Sequence, residues 1–127
     1  MVYLTRRLVE SAKRSPILLT GSSGYLGTEL SEQLRLAGVE FTGVDREPGS
    51  PPEGRLLNLA DEGPVRALFE AVCPRTVIHS GTHSALAYRD DFIGTFKEDL
   101  LAVSNILQAL AGDPAARLVF FSSSYVY

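Results

Sequence analysis

The run TGSSGYLG, Thr20 to Gly27, follows the apolar stretch Pro16-Ile17-Leu18-Leu19 and places glycines at positions 21, 24 and 27. It reads as a short buried strand entering a glycine-rich turn and then a helix. The first backbone N–H groups of a helix lack intrahelical partners and carry the positive end of its dipole, so an anion meets donors there. Gly21 permits the tight turn, Gly24 lets phosphate oxygens reach the backbone, and Gly27 lets the helix pack close to the sheet. Ser22 and Ser23 offer hydroxyls beside the same turn. A pyrophosphate is the fitting anion. A P-loop is excluded, because no Lys-Ser or Lys-Thr follows the glycines.

Outward from that turn the chain alternates. The predicted strands are 16–20, 40–45, 55–58, 76–80 and 117–121. A helix over 24–37 carries Leu26, Leu30 and Leu34 on one stripe and closes at Gly38. Val65, Leu68, Phe69 and Val72 mark a second helix ending before Pro74, and Phe96, Leu100, Val103, Leu107 and Leu110 mark a long third helix over 92–111. Arg46 to Gly54, rich in proline and glycine, is a loop. Short apolar strands separated by amphipathic helices require crossovers, hence an α/β fold with a parallel sheet. With right-handed crossovers the expected order is 3-2-1-4-5, and ligands occupy the crevice at the carboxyl ends where the order reverses. The segments 21–27, Asp45, 79–83 and 122–124 all fall there.

A chain of 127 residues, 45% apolar, suffices for one core and one domain. A net charge of −3 leaves no broad cationic surface for nucleic acid or anionic lipid. The single cysteine, Cys73, reads as a small core residue, and one cysteine cannot form an internal disulfide. Without a membrane-length apolar run or a leader pattern, the expected location is the cytoplasm, with no membrane or nucleic-acid partner. Residues 1–15 form an extension with a moderately amphipathic, basic pattern, and 16–127 form the domain.

Asp45 ends the second strand, where a carboxylate accepts hydrogen bonds from an adenosine ribose and repels a 2′-phosphate, favouring NAD over NADP. Arg46 beside it offers the opposite possibility, a guanidinium gripping that phosphate. His79 reads as a buried, hydrogen-bonded imidazole. His83 stands in the next loop, either against cofactor or substrate or on plain surface. Two histidines with no third ligand nearby do not make a metal site. Arg89, Asp90 and Asp91 read as the solvated start of the long helix.

Taken together, GSSGYLG at 21–27, Val44-Asp45, NLAD at 58–61, VIHSGT at 77–82, DLLAVSNIL at 99–107 and FFSSSYVY at 120–127 resemble the extended short-chain dehydrogenase/reductases, the nucleotide-sugar epimerases and dehydratases. The resemblance implies a Rossmann-type doubly wound sheet that stops after its fifth strand, with NAD as cofactor and a nucleotide sugar as substrate. It assigns cofactor contacts to Gly21, Ser23, Gly24, Tyr25, Leu26, Gly27, Asp45 and Arg46, to Asn58 and Leu59 at the adenine, and to Ser80, Gly81 and Thr82 where the backbone passes close. Asn58 stands in place of the family's acid, and its amide oxygen still accepts. Asp99 stands where the family has a structural asparagine.

The family pattern SSxxVY selects Ser123 as the serine that hydrogen-bonds the reacting substrate oxygen. The family's base is the tyrosine of a Tyr-x-x-x-Lys pair, whose lysine lowers the phenol pKa. Tyr3, Tyr25 and Tyr88 are followed at that distance by Arg7, Glu29 and Phe92, so this chain is expected to be inactive alone. Two readings stand: the cofactor-binding half of an NAD-dependent oxidoreductase, or a nonenzymatic NAD(P)-binding or regulatory module. The apolar strand 117–121 at a sheet edge, and the face of the helix before it, point to a homo-oligomer.

Overall fold

The computed structural model describes residues 16–47 and 54–121. The extension at 1–15, the middle of the proline-rich loop and the serine run with Ser123 lie outside the described residues. In chain order the elements are β1 (Ile17–Thr20), α1 (Tyr25–Leu36), β2 (Thr42–Asp45), β3 (Arg55–Leu56), α2 (Glu62–Val72), β4 (Thr76–His79), α3 (Ala85–Asp90), α4 (Phe92–Leu110) and β5 (Arg117–Phe120). All strand pairs are parallel, in the order β3-β2-β1-β4-β5. The order therefore reverses between β1 and β4, as the alternation predicts.

The register explains how four-residue strands hold a core on both sides. Ile17 pairs with Thr76, Leu18 with Val77, Leu19 with Ile78 and Thr20 with His79. Because side chains alternate across a strand, Leu18 and Val77 point to one face while Ile17, Leu19 and Ile78 point to the other. On the first face they meet Val65, Leu68 and Phe69 of α2 and Ala102 and Ile106 of α4. On the second they meet Leu30 and Leu34 of α1, with Val39, Phe41 and Val119 alongside. Each fully buried aliphatic side chain contributes about 1.5–3 kcal/mol.

Several local expectations are corrected. Cys73 is exposed: it ends α2 in the left-handed conformation, φ 47°, which turns the thiol out toward the Glu70 carbonyl 3.2 Å away. Leu26 is 38% exposed, so only Leu30 and Leu34 of that stripe are buried. Of the predicted core stripe of the long helix, Phe96, Leu100 and Leu107 face outward, at 49%, 56% and 51% exposure, whereas Val103 is half-buried and Leu110 packs against the core. Thr95, Ala102, Asn105 and Ile106 are buried instead. Arg89 and Asp90 end a separate short helix, α3, and only Asp91 serves the long one, its carboxylate accepting from the Gly94 N–H at 3.1 Å. No helix among the described residues is long and apolar enough to cross a membrane.

Ile106 is fully buried between α2 and the sheet. Ile106→Ala should cost about 2–4 kcal/mol of unfolding free energy, read by urea denaturation.

Candidate functional site

The glycine turn is locked by contact between backbones. Gly21 has φ +65°, and a Cβ there would lie 2.6 Å from Gly81 Cα and from the Ser80 carbonyl. A Cβ on Gly27 would lie 1.8 Å from the Gly21 oxygen. Both positions thus require glycine for space, and the first also for its conformation. Gly24 N–H donates to Gly21 O at 3.0 Å and closes the turn.

Gly24 is also the N-cap of α1, with no side-chain cap and no acidic residue in the first turn. By contrast, α3 and α4 are capped by Ser84 and Asp91. The opening of α1 therefore leaves its first N–H donors without a side-chain partner, as does α2 at Asp61.

Beside this turn lies a cleft of about 140 Å³, lined by Gly21, Gly24, Asp45, Arg46, Asn58, Leu59, Ser80, Gly81 and Thr82, and further by Leu57, His83, Glu98, Asp99 and Ala102. Most predicted cofactor residues therefore line one cleft. Ser23, Tyr25, Leu26 and Gly27 do not line it. The Tyr25 side chain is 99% exposed, and Gly27 is buried beneath the turn. Ser23 acts through its backbone, its N–H donating to Asp45 Oδ2 at 3.0 Å while its hydroxyl turns away to the Glu47 carbonyl at 3.1 Å. Asp45 also accepts from Arg46 N–H at 2.7 Å, so its carboxylate is oriented by the chain on both sides. Asn58 Oδ1 accepts from Ala60 N–H at 3.0 Å and retains a second lone pair. Leu59 is buried, its carbonyl held by the Asn105 amide at 2.9 Å.

The floor is a polar clamp between β1 and β4. Thr20 Oγ1 and His79 Nδ1 lie 2.6 Å apart, Gly81 N–H donates to Thr20 Oγ1 at 3.2 Å, and Ser80 Oγ donates to the Thr20 carbonyl at 2.7 Å. His79 is buried as the sequence suggests, but its Nε2 has no hydrogen-bond partner among the described residues. Burial pushes the His79 pKa below its ordinary value, only partly opposed by the negative charge of Asp99.

Sequence reasoning missed a cluster on the far wall. Asp99 accepts from His83 N–H at 3.2 Å, pairs with His83 Nδ1 at 2.7 Å and accepts from the Tyr88 hydroxyl at 2.6 Å. Burial raises the Asp99 pKa, but these hydrogen bonds outweigh it and leave the carboxyl below its usual range. The same bond to Asp99 pushes the Tyr88 phenol up to about 12. Tyr88 is thereby made a poor base. His83, left open between site and surface, is mostly buried and also lies 3.1 Å from Glu98 Oε2. The signal available in the sequence was the acid at 99 combined with a histidine just after β4.

A doubly wound parallel sheet, with a glycine turn at the switch point and an acid ending β2, defines a dinucleotide-binding Rossmann fold. The family model of the NAD dependent epimerase/dehydratase family matches residues 17–127, and the chain belongs to that family. A relative is methionine adenosyltransferase 2 subunit beta of Xenopus laevis, 29% identical over 115 residues that cover 87% of this chain and 33% of that protein. Among solved structures, UDP-glucose 4-epimerase of Thermotoga maritima with UDP-glucose matches at TM-score 0.75 and 18% identity. The Thermus thermophilus UDP-glucose 4-epimerase in complex with NAD matches at TM-score 0.75 and 24% identity. Each alignment covers 84% of this chain and 37% of the enzyme, so the chain spans about a third of the length of these relatives.

The His79 shift has a definite sign. With the folded pKa below the unfolded one, stability is complete above about pH 6.5 and declines as pH falls toward the folded value, because the unfolded chain takes the proton first. Thermal unfolding between pH 8 and 5 should show a decline that is shallower in His79→Asn than in the unsubstituted chain.

Proposed function

We propose that this chain binds NAD and is the cofactor-binding part of an epimerase/dehydratase-type oxidoreductase acting on a nucleotide sugar. The observation that carries the reading is the uncapped α1 terminus behind a turn that admits only glycine at 21 and 27. Gly21 and Gly24 with the α1 N–H groups would hold the diphosphate, Asp45 the adenosine ribose, and Asn58 and Leu59 the adenine. Ser80, Gly81 and Thr82 would let the backbone pass close to the cofactor. NAD when bound supplies hydride acceptance and return at its nicotinamide. Ser123 would hydrogen-bond the substrate oxygen, and the base would come from outside these 127 residues, since no tyrosine here precedes a lysine by four positions. The expected location remains the cytoplasm.

A second reading is a nonenzymatic NAD(P)-binding or regulatory module. It is favoured by the likeness to a chain named as a subunit of methionine adenosyltransferase. A Tyr-x-x-x-Lys in coding sequence beyond Tyr127 would select the first reading over the second.

We further infer self-association, because α4 presents Phe92, Phe96, Leu100 and Leu107 outward and β5 is an edge strand among the described residues. Sedimentation at micromolar concentration should show a dimer or larger species, and a monodisperse monomer would remove the inference.

Calorimetric titration with NAD tests the site. The unsubstituted chain should bind, whereas Gly24→Val, which places a branched side chain at the α1 terminus, should weaken binding at least about tenfold. Equal affinity in the two proteins counts against a diphosphate at this place.

A further inference from the structure

Arg46, at the end of β2, has its guanidinium engaged by a residue from the opposite side of the cleft. Its Nη1 lies 3.4 Å from Glu98 Oε2 on α4, and the same oxygen lies 3.1 Å from His83 Nε2. All three side chains line the cleft. Glu98 is thus the shared acceptor for the two side chains there that can carry positive charge.

The position of Arg46 gives this pairing a consequence. At the end of the second strand of such folds a carboxylate accepts from the ribose 2′-hydroxyl, whereas a nearby guanidinium accommodates a 2′-phosphate. Asp45 and Arg46 supply both groups side by side, and the sequence alone does not choose between them. A guanidinium held by a carboxylate through one of its nitrogens keeps other donors, but its charge is partly neutralised and its direction is set by that partner, so it meets a phosphate less favourably. Asp45 is under no such constraint, since the N–H groups of Ser23 and Arg46 orient it and leave it lone pairs.

Building on the reading that the cleft takes a dinucleotide, we propose that Glu98 is a specificity-determining residue for the cofactor. By engaging Arg46 it weakens that guanidinium as a partner for a 2′-phosphate and tips the choice toward Asp45 and the plain ribose. The two side chains are 48% and 46% exposed, so the pair contributes little to folding. Its effect belongs in the ratio of two affinities.

The test is calorimetric titration of the 127-residue chain with NAD and with NADP, in unsubstituted form and as E98Q, E98D and E98Q/R46Q. E98Q should shift the affinity ratio toward NADP by about two- to fivefold. E98D keeps the charge but withdraws it by one methylene, so it should shift the ratio the same way, and it stands in where E98Q does not fold. The double variant should lose the gain. An unmoved ratio in both single variants overturns the assignment, and so does a gain that persists without Arg46, which would reflect charge removal alone. An unsubstituted chain that binds neither dinucleotide removes the underlying reading, whereas one that binds NAD while the variants leave the ratio unmoved removes only the role of Glu98.

Discussion

Two strands remote in the sequence are brought together at their carboxyl ends with no side chain between their following loops, and the site depends on that approach. The space for a Cβ on Gly21 is taken by the backbone of Ser80 and Gly81, and the space for one on Gly27 by the carbonyl of Gly21. Thr20 and His79, opposite each other in the register, add the hydrogen bond that fixes the strand ends. Once β1 and β4 are held in this way, the chain leaving β1 turns sharply and starts α1 with its N–H groups toward the crevice. The geometry of the α1 opening thus follows from backbone packing, with the neighbouring side chains set around it.

Much of this was legible because glycine and strand alternation carry strong local signals. The segment 16–20 is apolar on both faces, as a central parallel strand must be, and the turn that follows could serve few purposes. Strand order followed from crossover handedness, and Asp45, Ser80 and Gly81 reached the cleft because topology puts every strand's carboxyl end there. Pairings across the sheet were not legible. Nothing local ties Glu98 to Arg46 or Asn105 to Leu59, since those contacts depend on where α4 lies over the sheet. Cys73 misled for a related reason: its apolar character suited a core position, but its place just past the last turn of α2 decided its exposure.

Asp99 illustrates a polarity argument that sequence reading left incomplete. An asparagine can donate and accept, so its partners are of mixed kind, whereas an ionised carboxylate only accepts. The groups around Asp99 are the backbone N–H of His83, the His83 ring and the Tyr88 hydroxyl, all able to donate. The acid is therefore matched by its surroundings. It ties α3 and the loop after β4 to α4, and it sets His83 where it reaches Glu98. The far wall of the cleft is consequently a connected set of polar side chains, and a change at Asp99 would be felt at Glu98 through His83.

The inversion of α4 follows from the same packing. Hydrophobic periodicity locates a buried face only when the opposite face is polar, and α4 has apolar side chains on both. Ala102, Asn105 and Ile106 form the face against the sheet, where Ile106 fills the core, Ala102 allows close approach and the Asn105 amide reaches the Leu59 carbonyl. Phe96, Leu100 and Leu107 are turned outward by that packing. The helix is thus anchored by Ile106, Ala102 and the Asn105 amide, while several of its large apolar side chains stand outward as an exposed face.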